Sequence, residues 1–462
     1  MRKQGSLSSL LTLAARLSFS RFLAAAAILH LTFAVALLVA GRYELLPGNL
    51  DRNGIGISFA ADSKDYLNYC RLLVTELGSG GFSGWLKFEL GLHIKLYSLS
   101  YAVAAPLFGY TILGAEPLNL IYYLLLLTLV YKLCKELFNH EAGILAAGMT
   151  ALWPSMLLHT TQLLRDPLFL ILFLTIILIS ASWLTRTYAW WRGLLAGVAG
   201  GLASALVWLV RSQMWEVMLC AALIGTVFLI FRQFRERRWL AGNSIGALLL
   251  CAFMIGAPAV GKAFNIYSYP GEQGMPTGPA GSNASGSAEN SQAGPARPIL
   301  PPGSPLPARI GFLRHKFLFL YQGAGSNIDT DVEFRSFTDI LLYLPRAVMI
   351  GLFAPFPDIW FKSGTQVKLA GRLLSGFETF LIYLIEILAA LAIWRHRGSL
   401  RPWLLLMIIL MGAAALGLVV ANVAALYRMR FGFWLLLIVL GAEGLRQLMR
   451  IDPPGKKSEV NR

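Results

Sequence analysis

Cysteine is scarce in this chain. Cys70, Cys134, Cys220 and Cys251 are the only four in 462 residues. They are scattered, and three lie in or beside apolar runs, so neither a disulfide framework nor a metal-binding set is indicated. Charge is scarce too, at 14% of residues, where soluble domains carry about 25%. Acidic residues number 24 against 40 Lys and Arg, giving a net charge of +16. No basic stretch is long enough to serve as a nucleic-acid patch, so nucleic acid is excluded as a partner. Histidine is limited to six residues. His93, His159 and His315 fall in outer segments, but their spacing matches no metal motif.

What the chain has instead is apolar sequence, at 56% of residues and a mean hydropathy of +0.61. Runs near 20 residues recur, the length that spans a bilayer as a helix. Ten such stretches stand out: 22–41, 117–137, 141–160, 167–184, 193–210, 214–231, 243–261, 377–394, 402–421 and 432–448. Two more, 95–113 and 338–360, are interrupted; the second holds Pro345, Arg346, Pro355, Pro357 and Asp358. With both kept on the outer side, the short inner segments collect the basic residues, as the positive-inside rule requires. These include Arg16, Arg21, Lys132, Lys135, Arg186, Arg192, Arg232, Arg235, Arg237, Arg238, Arg395, Arg397, Arg401 and Arg446. The outer loops between adjacent spans keep only Arg165, Arg211, Arg428 and Arg430.

The expected organisation is an all-α polytopic membrane protein of about ten (10–12) spans. An inner N-terminus (1–21) leads into a first transmembrane module (22–261), which contains an outer loop at 42–116. A second outer loop (262–376) opens on a Gly/Pro/Ser tract at 267–308, expected to be disordered. It continues in interfacial stretches at 309–321 and 338–360. The final helices occupy 377–448, followed by an inner tail at 449–462. "GLLAGVAGG" at 193–201 offers Gly193, Gly197 and Gly201 at small-xxx-small spacing, a close-packing signal.

The charged residues that run against this pattern are the candidates for chemistry. "FAADSKDYLNY" sets Asp62 and Asp65 three apart, on one helix face. They read either as a base or metal ligand or as a solvated helix start, with Asp62 as its cap. "TTQLLRDPLFL" places Arg165 and Asp166 between two spans, with Asp166 expected to cap a helix whose first residue is Pro167. "NVAALYRMRFGFW" puts Arg428 and Arg430 at the outer boundary, and "VRSQMWE" does the same for Arg211. Arginines there either hold a phosphate in a two-pronged grip or reach to lipid headgroups.

"AADSKDY", "GILAAGMTALWPSMLLHTTQLLRDPLFLIL" and "NVAALYRMRFGFWLLLIVLGAEGL" together resemble the GT-C superfamily of integral-membrane glycosyltransferases. Within it they are most similar to family 39-like proteins, the protein O-mannosyltransferases and lipid A aminoarabinose transferases. The resemblance implies a GT-C-like bundle and a hexosyl- or pentosyltransferase that takes sugar from a polyprenyl-phosphate donor. The acceptor would be a glycan, lipid or protein on the outer face of a bacterial inner membrane. It implies Asp62 or Asp65 as the base and Asp166 as a second acidic motif. Arg165, Arg211, Arg428 and Arg430 would face the donor phosphate. A divalent cation, Mg2+ or Mn2+, is the one cofactor allowed for, on Asp62 and Asp166 if present. Metal-dependent oligosaccharyltransferases carry a pair of acids in the second motif, whereas this chain has Asp166 alone, preceded by Arg165. The competing classes are a transporter or flippase, and a polymerase or ligase, of lipid-linked glycans.

Overall fold

The structure is a computed structural model that describes residues 16–46, 50–57, 60, 62–263, 303–321, 325–362 and 368–449. Most of the 267–308 tract expected to be disordered, up to residue 302, lies outside the described residues, as do 1–15 and 450–462. The described chain is almost wholly helical. In order, the helices are α1 (Phe19–Arg42), α2 (Asp62–Ser79), α3 (Gly81–Lys87), α4 (Leu92–Phe108), α5 (Ile112–Leu137), α6 (His140–Ala151), α7 (Pro154–Thr161), α8 (Asp166–Ser182), α9 (Trp190–Arg211), α10 (Trp215–Glu236), α11 (Ala241–Ala263), α12 (Leu306–Leu320), α13 (Phe337–Phe353), α14 (Lys368–Arg395), α15 (Leu400–Val419), α16 (Val423–Met429) and α17 (Phe431–Met449).

Every one of the ten stretches read as a span is helical, but among the described residues seven segments have the length and hydropathy of an unbroken span. Three physical causes account for the difference. First, Trp190–Glu236 registers as one 47-residue segment but folds back on itself at the 3-10 turn Ser212–Met214. At one end of α11, Gly242 abuts Gly193, near the start of α9. Arg232 and Gln233, near the end of α10, bond Trp183, Arg186 and Ser244 at that same end. The chain therefore goes up α9 and returns down α10. Second, the stretch 141–160 breaks at Trp153, and α6 and α7 meet at 66°. Pro154 begins α7, where its missing N–H costs nothing but cannot continue α6. Third, α8 has 17 residues, about 25 Å at 1.5 Å per residue, against a hydrocarbon layer of about 30 Å.

The two interrupted stretches are not among the candidate spans. The peptide N–H of Ile112 donates to the Asn53 carbonyl at 2.9 Å, and Asp51 packs on Gly41. The chain thus leaves α1 and enters α5 at the same end of the bundle. α2 fits this surface role: Ser63, Tyr66, Leu67, Cys70 and Leu73 form its buried face, while Lys64, Asp65 and Arg71 are exposed. α13 starts in a capping box between Ser336 and Asp339 and packs its Ala347 and Gly351 on Gly417 and Ala413 of α15.

The small-xxx-small spacing is used as close packing. A Cβ on Gly193 would strike the Gly242 carbonyl, and one on Gly197 would strike Gly246. α9 and α11 thus lie backbone to backbone in parallel. The core runs through α5, α8, α15 and α17, where residues such as Leu126, Phe173, Ile408 and Leu436 are inaccessible.

The ends of the bundle differ in chemistry. One end gathers Arg186 with Glu136, Arg401 on the Leu137 carbonyl and Arg446 with Glu443. The opposite end holds Asp62, Asp166, Arg211 and Arg428.

Candidate active site

The strand of chain before α8 is held rigidly before any charged group is placed. The Tyr97 hydroxyl lies 2.8 Å from Asn119 Oδ1, and 3.2 and 3.3 Å from the carbonyls of Gln162 and Leu164. Asn119 Nδ2 donates to the Thr161 carbonyl at 2.9 Å, and Ser63 Oγ to that of Leu163 at 3.2 Å. The Gln162 amide grips the first outer loop: the Gly56 N–H donates to its Oε1 and its Nε2 donates to the Gly54 carbonyl. Both glycines have positive φ, +77° and +83°, which residues with a Cβ adopt reluctantly. Buried peptide groups are thereby paired throughout, and "TTQLL" delivers Arg165 and Asp166 at a fixed place.

α16 is fixed from the other side. Asn422 caps it, accepting from the Ala425 N–H at 3.0 Å, while its Nδ2 donates to Ser326 and Asn327. The second outer loop pairs with this turn through Ile328 N–H to Ala421 O and Val423 N–H to Ser326 O. One turn later comes Arg428.

These supports bring four of the singled-out residues together. Arg428 Nε donates to Asp166 Oδ2 at 2.7 Å, and its Nη1 to Asp62 Oδ2 at 3.1 Å. Arg211 Nη1 donates to Asp166 Oδ1 at 2.5 Å. Asp166 is 1% exposed, with one guanidinium on each oxygen. The Asp62 side chain is 49% exposed, and Arg428 is 21% exposed. Burial works against the charge on Arg428, yet Asp166 and Asp62 hold its pKa above the ordinary arginine value. His93 lies close by; burial pushes its imidazole down to about 3, helped by Arg165 and Arg428 and opposed by Asp166. It is neutral at any working pH.

Asp166 is not the helix cap. Arg165 holds that position and no side chain caps the helix, with proline in the first turn. The Asp166 carboxylate goes instead to the two arginines. Arg165 is half-buried and makes no ion pair or hydrogen bond through its side chain among the described residues; its Nε is buried without a partner. Arg428 Nη2 also has no hydrogen bond among the described residues. Arg428, paired with Asp62, and Arg165, next to Asp166 in the chain, thus keep donors to spare.

Asp65 and Arg430 go elsewhere. Asp65 is exposed at the surface of α2. Arg430 is buried, stacks 4.1 Å from the Trp434 ring, and donates to the Gly351 and Leu352 carbonyls at 3.3 and 3.2 Å. It ties α13 to α17 rather than joining the acids. Asp62 and Asp166 do not make a metal site as they stand, because a guanidinium already bridges them. Among the described residues, no group of three or more His, Cys, Asp and Glu side chains is arranged to hold a metal.

Sequence reasoning passed over a second buried cluster. Glu378 of α14 is inaccessible; it accepts from the Ser155 N–H at 2.7 Å and the Ser155 hydroxyl at 2.6 Å, and bonds the Tyr427 hydroxyl. His159 Nδ1 lies 2.7 Å from the Ser155 carbonyl. The cluster locks α7, α14 and α16 together one residue before Arg428. Glu378 and Glu386, two acids inside the apolar run 377–394, were the available signal.

No curated protein and no solved structure matches the chain. Residues 96–261, which include Arg165, Asp166 and Arg211, match the family model described as dolichyl-phosphate-mannose-protein mannosyltransferase, a match in the same direction as the GT-C resemblance of the motifs.

Proposed function

We propose that the chain transfers a sugar from a polyprenyl-phosphate donor to an acceptor at the end of the bundle where Asp62 and Arg428 meet. The observation that carries this reading is the pairing of a half-exposed carboxylate with under-used guanidinium groups. Asp62 keeps Oδ1 available, whereas both oxygens of Asp166 are engaged. Asp62 is therefore the base, and Asp166 positions Arg428 and Arg211. The proton of the acceptor O–H or N–H passes to Asp62 as the acceptor atom attacks the anomeric carbon. The bond from that carbon to the phosphate oxygen breaks, and the electron pair leaves with the lipid phosphate. Arg165 and Arg428 face the charge that develops on that phosphate. No step needs a metal, since the bridging guanidinium stands where a cation would bind the two acids.

The positive-inside distribution supports an outer-face site in a bacterial inner membrane, with the donor's tail between helices and its head at the boundary. The family description supports mannose or another hexose as the sugar. Glycan, lipid and protein acceptors share the same nucleophile chemistry.

The test is Arg165. Because its side chain makes no hydrogen bond or ion pair among the described residues, Arg165→Ala should leave the unfolding midpoint unchanged. It should lower kcat/KM for the donor about 10–100-fold, the worth of one charge-assisted hydrogen bond. Arg165→Lys should recover part of the loss, as the charge stays but the fork is gone. Parent-like transfer by Arg165→Ala at subsaturating donor would remove Arg165 from the phosphate site.

A further inference from the structure

At the arginine-rich end of the bundle, far from Asp62, a cleft of 460 Å³ opens between α10 and α11. Its walls are apolar, formed by side chains such as Ile230, Phe234 and Leu248, and Arg237, Arg238 and Trp239 also line it. The four arginines of "FRQFRERR" divide sharply in their use. Arg232 donates to the Trp183 and Arg186 carbonyls and pairs with Glu236. Arg235 donates to the Gly398 carbonyl at 3.1 Å. Arg237 and Arg238 are exposed and make no side-chain hydrogen bond or ion pair among the described residues. Arg237 ends α10 in the left-handed region, with φ +48°; glycine takes that position without strain, yet an arginine holds it here.

An apolar slot between two membrane helices, with two uncommitted guanidinium groups and an indole beside it, matches a lipid end to end. The acyl chain fits the slot, the indole suits the headgroup level, and the guanidinium forks suit a phosphate. We propose that this cleft is a binding site for an anionic phospholipid drawn from the leaflet at that end. The phosphate rests on Arg237 and Arg238, and one acyl chain lies along Phe234, Ile230 and Leu248. Basic pockets between transmembrane helices capture acidic headgroups in this way. The proposal does not depend on the transferase reading, which concerns the opposite end of the bundle.

The experiment uses the full-length protein purified in neutral detergent. Native mass spectrometry follows titration with phosphatidylglycerol or with phosphatidylcholine of the same acyl chains. An arginine near an anionic headgroup contributes about fivefold in affinity, so two favour phosphatidylglycerol by roughly tenfold or more. The Arg237→Ala/Arg238→Ala variant should lose that preference, and Arg237→Lys/Arg238→Lys should keep most of it. Leu248→Trp, which fills the slot but leaves both arginines, should reduce retention of phosphatidylglycerol. Equal retention of the two lipids by the parent protein overturns the proposal and needs no variant at all. Undiminished preference in the double alanine variant overturns it too.

Discussion

Replacing Asp166 with asparagine should lower the unfolding free energy by about 3–5 kcal/mol, the usual cost of removing one partner from a buried ion cluster. The carboxylate is inaccessible and neutralises Arg211 and Arg428 together. Asparagine keeps the shape and the capping ability, so a residue that served only as a helix cap would be replaced at little cost. The structure assigns no capping bond to it, and the buried Arg211 and half-buried Arg428 would lose their shared counter-charge. Denaturation of the detergent-solubilised protein, read by helix loss, checks this. Transfer should fall as well, because Arg428 would no longer be aimed. A midpoint within experimental error of the parent would show that the three-residue ion cluster contributes no net stability.

The second large effect separates chemistry from stability. Asp62→Asn should reduce the transfer rate by 10²–10⁴-fold, the range for loss of a general base. Its stability cost should stay below about 1 kcal/mol, since the pair with Arg428 is half-exposed and such pairs contribute little. The rate should be read at saturating donor and acceptor, so that binding does not contribute. Asp65→Asn is the matched comparison: it lies three residues on, at the surface and outside the ion cluster, and should transfer at close to the parental rate. If the Asp65 variant were the inactive one, the base would have been assigned to the wrong carboxylate.

The residues that sequence logic could find were those that break a pattern. Charged groups are costly near lipid, so Asp62, Asp166, Arg211 and Arg428 stood out, and the fold gathers all four. The pattern could not say which neighbours travel together. Arg428 and Arg430 are two apart, and such residues do not share a helical face; one meets the acids and the other meets Trp434. Asp62 and Asp65 share a face by spacing, yet only Asp62 lies within reach of Arg428. That depends on where α16 docks, a contact between residues 366 positions apart.

Helix breaks were partly legible. Pro154 marks the end of α6, but hydropathy summed over a window runs through it. The turn at Ser212–Met214 has no proline or glycine, but Arg211, Ser212 and Gln213 interrupt the apolar run there and mark the boundary between the stretches 193–210 and 214–231. Glu378, Ser155, Tyr427 and Gln162 were silent for another reason. Nothing in the sequence says which polar residues meet, and only the folded chain reveals that the first three do and that Gln162 clasps Gly54 and Gly56.

In a transferase the bound sugar changes its covalent partner rather than merely crossing the membrane. The direct measurement reconstitutes the parent protein in vesicles with a polyprenyl-phosphate sugar labelled in the sugar, and follows the label and the free polyprenyl phosphate together. Label should leave the lipid, polyprenyl phosphate should accumulate in equal amount, and Asp62→Asn should stop both. Label that stays lipid-linked while it moves from one leaflet to the other would contradict the transferase and identify a transporter instead.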